Sequence, residues 1–481
     1  MEPRSDAGKD GKWMALLAAF FGWMFDGLEM GLFPLVAPSA LRELMGGNAN
    51  DQDISTWFSA IMAAFLVGAA FGGLIFGWLG DRIGRVRAMV WSVLTYSIFS
   101  GMCFLVQHPW QFGVLRFLAS LGMGGEWALG VALVMEVWPS TTRPTMAGLI
   151  GAAANVGFLL MGLMGYAISK VIVELGDFLR AIHIPQQHVD WLLANSAWRM
   201  LLLLGATPAI LTFFIRIFVP ESGKWKHAAS TSPKNRVRDI FVPGLARKTI
   251  LGTLLAAVAL LGTWGSVQWI AAWAGQISAR DNQFRAMTAT QTMPTTTGAA
   301  AAAPAPVQRP TKASDIKVSD ITAKPDPTAR ALGQIWSAVG AIVFSILGAW
   351  AAQWTSRRWT YFALCALSLG VCAYLFRAEM HFDNYFLFLV FLAGGFTAAF
   401  YGWLPLYLPE LFPTRVRATG QGFAFNAARV LAAAGTLGGG QLLMGFGGDY
   451  ARMCSVISLV YVVGLVLIWF CPETKGKPLP E

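Results

Sequence analysis

Apolar runs of about 20 residues, each long enough to cross the ~30 Å hydrocarbon core of a bilayer as a helix, recur along this whole chain. No other feature constrains the fold as much, because lipid offers no partner to a bare peptide group and only helices and closed barrels satisfy their own backbone there. Run length, and the lack of ten-residue alternating segments, select helices. Composition agrees: 56% of the 481 residues are hydrophobic and 13% charged, too few charges to cover a water-facing surface.

Runs bounded by charge, Pro or Gly predict twelve helices, at 13–38, 56–80, 88–106, 109–137, 144–172 and 196–219 in a first half. In a second half they fall at 248–274, 330–352, 359–377, 384–408, 417–446 and 450–471. The first run is long, contains acids and leads into further spans, so it is expected to be retained as helix 1 rather than cleaved as a signal peptide. The predicted fold class is an all-α integral membrane protein with two related six-helix bundles. Their expected extents are 1–219 and 248–481, joined by a basic linker, 220–247. Residues 275–329, rich in Ala, Thr and Pro, are expected to form a flexible outer insertion.

A net charge of +10 acquires meaning from its placement. Lys and Arg concentrate in alternate short loops (Arg82, Arg85, Arg87, Arg143, Lys224, Lys226, Arg247, Arg357, Arg358, Arg415, Arg417, Lys475) and are sparse in the others (Arg42, Arg180, Arg377). This bias predicts both termini in the cytoplasm. The charge therefore reports topology in a cell membrane and implies no nucleic-acid partner. Five cysteines (Cys103, Cys365, Cys372, Cys454, Cys471) lack metal-ligand or redox spacing, so no metal is expected.

The halves repeat. Glu136-Val-Trp-Pro139-Ser-Thr-Thr-Arg143 follows helix 4 and Glu410-Leu-Phe-Pro413-Thr-Arg-Val-Arg417 follows helix 10, both reading E-x-x-P-x-x-x-R. Pro220-Glu221-Ser222 follows helix 6 and Pro472-Glu473-Thr474 follows helix 12. An additional outer segment, 173–195, accounts for the different spacing of the two frames. Between helices 2 and 3 stands Gly77-Trp-Leu-Gly-Asp81-Arg82-Ile-Gly84-Arg85. Its counterpart between helices 8 and 9 is degraded, with Gln353 in place of Asp81 and Ser356-Arg357 in place of Gly84-Arg85.

With these motifs the chain resembles the major facilitator superfamily over nearly its whole length. The helix 4 sequence Arg116-Phe-Leu-Ala-Ser-Leu-Gly122-Met-Gly124-Gly125-Glu126-Trp127 and the helix 1 sequence Asp26-Gly-Leu-Glu29 are similar to metabolite:proton symporters of the sialate and monocarboxylate branch. The resemblance implies secondary transport driven by a proton gradient, without a cofactor. It also implies proton coupling through an acid on helix 1 facing an Arg on helix 4. The glutamine-rich pattern of sugar porters is not evident around Trp264-Gly-Ser-Val-Gln268-Trp269.

Ionisable groups inside the bilayer are the first functional candidates, at roughly 2.5–3.5 kcal/mol each on insertion scales. Asp26, Glu29, Arg116 and Glu126 are the candidates for proton coupling. Depth arithmetic allows an Asp26–Arg116 pair about 10 Å from the outer boundary and sets Glu126 roughly 15 Å deeper. The pair can be a titrating device or a permanent structural bridge. Arg429 falls near the midplane of helix 11, where a guanidinium suits a carboxylate substrate or else a structural acid. Trp127, Asn155, Gln268, Trp269, Tyr401 and Asn426 are candidates to complete the pocket. Asp81, Arg82, Gly84, Arg85, Glu136, Arg143, Glu410 and Arg417 are candidates for a cytoplasmic gate, against the simpler reading of positive-inside topology.

No HExxH, GxSxG or GxxxxGK[ST] is present, so neither a hydrolase nor an ATP-driven pump is signalled. The expected function is proton-coupled import of a small organic anion, such as a monocarboxylate, aromatic acid or sialic acid, by a monomer. The alternatives are a sugar or polyol porter, an exporter of the same fold, or a receptor on a transporter scaffold.

Overall fold

The computed structural model describes residues 9–46, 51–231, 236–289, 312–316 and 318–481. Residues 232–235 of the expected linker and 290–311 and 317 of the expected insertion lie outside them. Its first half consists of helix 1 (Lys9–Leu44), helix 2 (Asp51–Ile83), helix 3 (Arg85–Met102), helix 4 (Pro109–Val137), helix 5 (Arg143–Tyr166) and helix 6 (Gln186–Leu204 continued by Ala209–Phe218). The second half has helix 7 (Ala246–Gly265 continued by Ile270–Ala289), helix 8 (Pro327–Trp354), helix 9 (Arg357–Leu375), helix 10 (Asn384–Ala398 continued by Phe400–Leu411), helix 11 (Arg417–Gly445) and helix 12 (Tyr450–Ile457 continued by Val460–Leu467). Ten helical stretches among the described residues are long and apolar enough to cross a bilayer. Helix 6, interrupted at Gly205–Pro208, and helix 11, rich in Gly and Ala, complete the twelve. Large apolar side chains on the outward faces, including Phe71, Trp91, Ile98, Val463 and Val466, are exposed, as a lipid-facing surface requires.

Several expected boundaries shift. Helix 1 runs six residues past 38, because Glu43 in its last turn is anchored by helix 6. The Glu43 carboxylate accepts from Asn195 Nδ2 at 2.6 Å and Trp198 Nε1 at 2.8 Å and pairs with Arg199. These donors converge because Asn195, Ser196 and Ala197 turn left-handed, with φ of 51°, 69° and 56°. The predicted helix 5 ends at Tyr166, and the outer segment 173–195 is helical, split between Ile168–Ala181 and the start of helix 6.

The expected flexible insertion is ordered at both ends. Helix 7 continues to Ala289, and the returning chain is tied to it. Gln283 bonds the Asp320 carbonyl and the Thr322 amide at 2.9 Å each, Ser278 donates to Asp326 at 2.8 Å, and the Asp326 amide donates to the Gly275 carbonyl at 3.2 Å.

The halves meet along two helix pairs, 2 with 11 and 5 with 8. Small residues make this possible. A Cβ at Gly73 would lie 2.1 Å from Asn426 Nδ2 on helix 11. The start of helix 1, where the Lys12 carbonyl accepts from Trp138 Nε1 at 3.2 Å, and the last residues reach one face, here the terminal face, where the Arg417 guanidinium donates to the Pro480 carbonyl at 2.7 Å.

Candidate functional site

A narrow cavity of about 60 Å³ lies between the halves at mid-depth, well below the ~300–1,000 Å³ of an open small-molecule site. Helices 1, 5, 7, 8, 10 and 11 line it. Its walls are aromatic, with Trp23, Phe158, Trp264, Tyr401 and Phe425, interrupted by the amides Asn155, Gln268 and Gln334 and the hydroxyl of Thr263. Two charged side chains reach it: Asp26 from helix 1 and Arg429 from helix 11.

Arg429 is buried, and neither Nε nor Nη1 has a hydrogen-bond partner among the described residues. Its guanidinium carbon stands 5.4 Å from the Phe425 ring centroid. Phe425 in turn stacks on Trp127, with centroids 4.0 Å apart and planes 18° from parallel. That stack fixes the base of the guanidinium and leaves its donors toward the cavity wall. Asp26 and Tyr401 are its electrostatic neighbours.

Asp26 does not pair with Arg116. The Asp26 carboxyl faces Glu126 of helix 4, and Arg116 pairs instead with Glu29, whose Oε1 also accepts from Ser100 at 2.8 Å. The expected depth erred because it counted from residue 13 across a ~30 Å core, whereas helix 1 has 36 residues and is ~54 Å long. Counted from Leu44, Asp26 is ~27 Å from the outer end, close to the ~26 Å of Glu126 from the start of helix 4. Glu126 reaches Asp26 because Gly22 leaves room: a Cβ there would lie 1.7 Å from Glu126 Oε1. Glu29 and Arg116 line no part of the cavity. Arg116 is enclosed by the rings of Phe33 and Phe65, at 5.0 and 4.8 Å, which makes this pair a buried brace within the first bundle.

Of the pocket candidates, Asn155, Gln268, Tyr401 and Arg429 line the cavity, and Trp127, Asn426 and Trp269 do not. Trp127 lies behind Phe425. Asn426 donates to the carbonyls of Gly124 and Gly422 at 3.0 Å each and joins helix 11 to helix 4. Trp269 stacks on Tyr450, with centroids 5.8 Å apart. The unanticipated lining residue Trp23 carries a usable signal, three positions from Asp26 on one face of helix 1, whereas Trp264 is parted from Gln268 by the break at Ser266.

At the terminal face a buried charge network joins the halves. Arg85 holds Asp81 at 2.6 Å and Glu136 at 2.9 Å, and crosses to the Thr414 carbonyl at 2.9 Å. Arg417 reaches back to Glu136 at 2.9 Å. The Asp81 carboxylate receives the Ala418 amide at 3.2 Å, the Thr419 amide at 2.8 Å and the Thr419 hydroxyl at 2.6 Å. Gly84 has φ 112°, and a Cβ on it would lie 2.3 Å from Glu221 Oε2. Arg82 is outside this network, exposed and stacked 5.0 Å over Trp78. Arg143 donates to the Met135 and Trp138 carbonyls at the end of helix 4. Glu410 pairs with Arg357 of its own half, at 2.7 and 3.0 Å, and not with Arg417.

The second-half motif is less degraded than its sequence suggests. Arg357 donates to the carbonyl five residues back, Ala352, at 2.6 Å, as Arg85 does to Gly80 at 2.8 Å. Glu221 receives the amides of Arg85 and Val86 at 2.9 and 3.1 Å, and Glu473 those of Arg357 and Arg358 at 3.2 Å each. Two equivalent carboxylates thus close the open N-termini of helices 3 and 9. They titrate oppositely. Burial raises the Glu221 carboxyl above its ordinary range despite the Ser222, Val86 and Arg85 amides. At Glu473 burial also acts upward, but the amides of Lys475, Arg358 and Arg357 outweigh it and hold the carboxyl low. What remains asymmetric is the crossing: Asp81 bonds the other half as a charge, whereas Gln353 reaches it only through a 3.4 Å bond to the Thr141 carbonyl.

Two six-helix bundles around a charged mid-depth cavity, closed at one face by an ion-paired seal, define a membrane transporter. The chain belongs to the Sugar (and other) transporter family, whose model it matches over residues 14–235 and 319–481. It is 24% identical to a putative metabolite transport protein of Haemophilus influenzae, covering 97% of this chain and 98% of that one. It is 27% identical to the cis,cis-muconate transport protein of Acinetobacter baylyi (95% and 96%) and 26% to a probable 4-methylmuconolactone transporter of Cupriavidus pinatubonensis (95% and 90%). Among solved structures, the proton:xylose symporter XylE superposes with a TM-score of 0.67 at 15% identity, over 98% of both chains. That likeness concerns the fold alone.

Proposed function

We propose that this protein imports a small organic anion together with protons across a cell membrane, working as a monomer with both termini in the cytoplasm. The observation that carries this reading is one cavity holding an unanswered guanidinium, Arg429, and a carboxyl, Asp26, backed by a second carboxyl, Glu126. Two facing carboxyls in a low-dielectric interior hold a shared proton more readily than two charges. With one proton, the pair carries a single negative charge that Arg429 offsets. A substrate carboxylate bound to Arg429 adds a second negative charge, and a further proton on the pair restores neutrality. Anion and proton therefore favour each other's binding, which is the thermodynamic requirement for symport.

The muconate and methylmuconolactone transporters among the relatives support an organic acid as substrate, and the aromatic walls suit a planar or unsaturated one. The branch of metabolite:proton symporters is the corresponding assignment. A neutral sugar could accept from the Arg429 donors through its hydroxyls but would bring no negative charge to the buried guanidinium, which disfavours it. The network of Asp81, Arg85, Glu136, Arg417 and Thr419 acts as the cytoplasmic gate, with Gly84 and Glu221 positioning Arg85.

The test is flux of labelled acids and hexoses into proteoliposomes with and without a proton gradient. Gradient-driven accumulation of a carboxylate supports the reading. In Asp26→Asn, accumulation is expected to be lost while exchange of internal for external substrate persists. Undiminished gradient-driven uptake in that variant would sink it.

A further inference from the structure

Away from the cavity, the rim of the second half at the terminal face carries a cationic site that transport does not use. Helix 12 ends in a tightened turn, Ile468–Phe470, which leaves carbonyls without intrahelical partners. Arg358, from the start of helix 9, donates Nε to the Cys471 carbonyl at 2.7 Å. Arg247, from the start of helix 7, donates Nη2 to the Phe470 carbonyl at 3.3 Å. Two guanidiniums from different helices thus converge on consecutive carbonyls, both close to the Cys471 thiol.

Neither is neutralised. Arg357 is bidentate on Glu410, but among the described residues no carboxylate lies within ion-pairing distance of Arg247 or Arg358. Glu473, near in sequence, spends its oxygens on the backbone amides of Arg357, Arg358, Thr474 and Lys475. Each guanidinium has five N–H groups and uses one in the bonds described.

Beside this pair, Trp359, Trp469 and Phe470 expose 58%, 41% and 58% of their surface. Trp359 and Trp469 meet edge to face with centroids 4.9 Å apart. Indoles in such positions mark the headgroup level of a bilayer. Val462, Val463 and Val466 continue the exposed apolar surface along helix 12.

We propose that Arg247 and Arg358 bind the phosphate of one anionic phospholipid of the cytoplasmic leaflet, whose acyl chains lie along Trp359, Trp469 and the valine face of helix 12. Paired guanidiniums match a phosphate through parallel N–H donors. Dissolved phosphate carries at least as much negative charge but has nothing to cover the adjoining apolar surface, and the continuity of that surface with the lipid-facing belt selects the lipid.

The experiment uses the full-length protein in detergent and counts bound lipid by native mass spectrometry after addition of phosphatidylglycerol, phosphatidylcholine or inorganic phosphate. Wild type is expected to retain one phosphatidylglycerol in preference to phosphatidylcholine. Retention is expected to fall roughly thirtyfold in Arg247→Gln/Arg358→Gln and about fivefold in Arg247→Gln, an exposed position that spares the fold. Arg87→Gln, an exposed cation of the same face outside the site, is expected to retain it. Undiminished retention in the double variant, or in the single variant should the double one not fold, would overturn the proposal. So would an equal loss in Arg87→Gln, or displacement of the lipid by an equal concentration of inorganic phosphate.

Discussion

Replacing Asp81 by asparagine keeps the shape of the side chain and removes its charge, at a point where one carboxylate gathers three donors from the other half. Oδ2 receives the Thr419 amide and hydroxyl at 2.8 and 2.6 Å, and Oδ1 receives the Ala418 amide at 3.2 Å together with Arg85 at 2.6 Å. Asparagine offers one acceptor oxygen. With that oxygen on Arg85 and Ala418, its NH₂ faces the Thr419 donors, and two charge-assisted bonds across the halves are lost at about 1.5–3 kcal/mol each. The Thr419 hydroxyl can rotate and accept from the new amide, recovering about 1 kcal/mol. The net penalty on the sealed state is roughly 2–5 kcal/mol, a shift of about thirty- to several thousandfold toward the state open at the terminal face. Ala349 of helix 8, fully buried against helix 5 beside Gly148, reports that opening. In Ala349→Cys, an impermeant maleimide applied from the terminal face is expected to react far faster when Asp81→Asn is added, and by about ten- to a hundredfold when Thr419→Val is added. If Asp81→Asn lowered thermal stability but left the labelling rate unchanged, the network would be an internal brace and not a gate.

Three further outcomes are expected. Arg429→Lys substitutes a point charge for a planar fork and should weaken carboxylate binding by about ten- to a hundredfold, read as Kd by calorimetry; unchanged affinity would exclude bidentate recognition. Glu29→Gln leaves Arg116 buried without its partner and should cost about 3–5 kcal/mol of stability, seen as a lower Tm, while the proton dependence of uptake in the folded fraction stays that of wild type. Glu473 is held below its ordinary value of 4.5, so its stabilisation is present above that value and is lost as pH falls through the depressed one. Glu473→Gln should therefore cost about 1 kcal/mol at pH 7 and flatten the acid limb of the Tm profile; an unaltered acid limb would count against the helix 9 cap.

The twelve spans and the repeat were legible because hydropathy and motif spacing do not depend on which side of a helix faces what. The pairing of charges was not. Asp26 and Glu29, at i and i+3, point about 60° apart on a helix, enough for one to meet the cavity and Glu126 while the other enters the bundle toward Arg116. Depth arithmetic could not resolve them while helix 1 was taken to fit a ~30 Å core, and its additional outer length is fixed by Glu43 contacting residues over 150 positions away. Asn426 illustrates a second limit. A buried amide on a pore-side helix reads as a ligand-binding group, yet it satisfies backbone carbonyls where Gly124 brings two helices together. Arg357 shows the reverse case. Its motif looked decayed by residue identity, but Glu410 and Glu473, both visible in the sequence repeat, preserve its surroundings.

Helix 7 breaks at Ser266, beside the cavity residues Val267 and Gln268, and resumes at Ile270. A helix jointed at cavity level can pivot its outer arm while the inner arm stays docked. The strand of chain returning through Asp320, Thr322 and Asp326 is clasped to that outer arm at Gln283, Ser278 and Gly275. Any swing of the arm must carry this clasp with it or break it, so the bonded segment Asp320–Asp326 adds to the force that holds the arm in place. Breaking the clasp, as in Gln283→Ala, then changes the restoring force on the outer arm, and the rate of substrate-induced closure, followed by stopped-flow fluorescence, is where it will register.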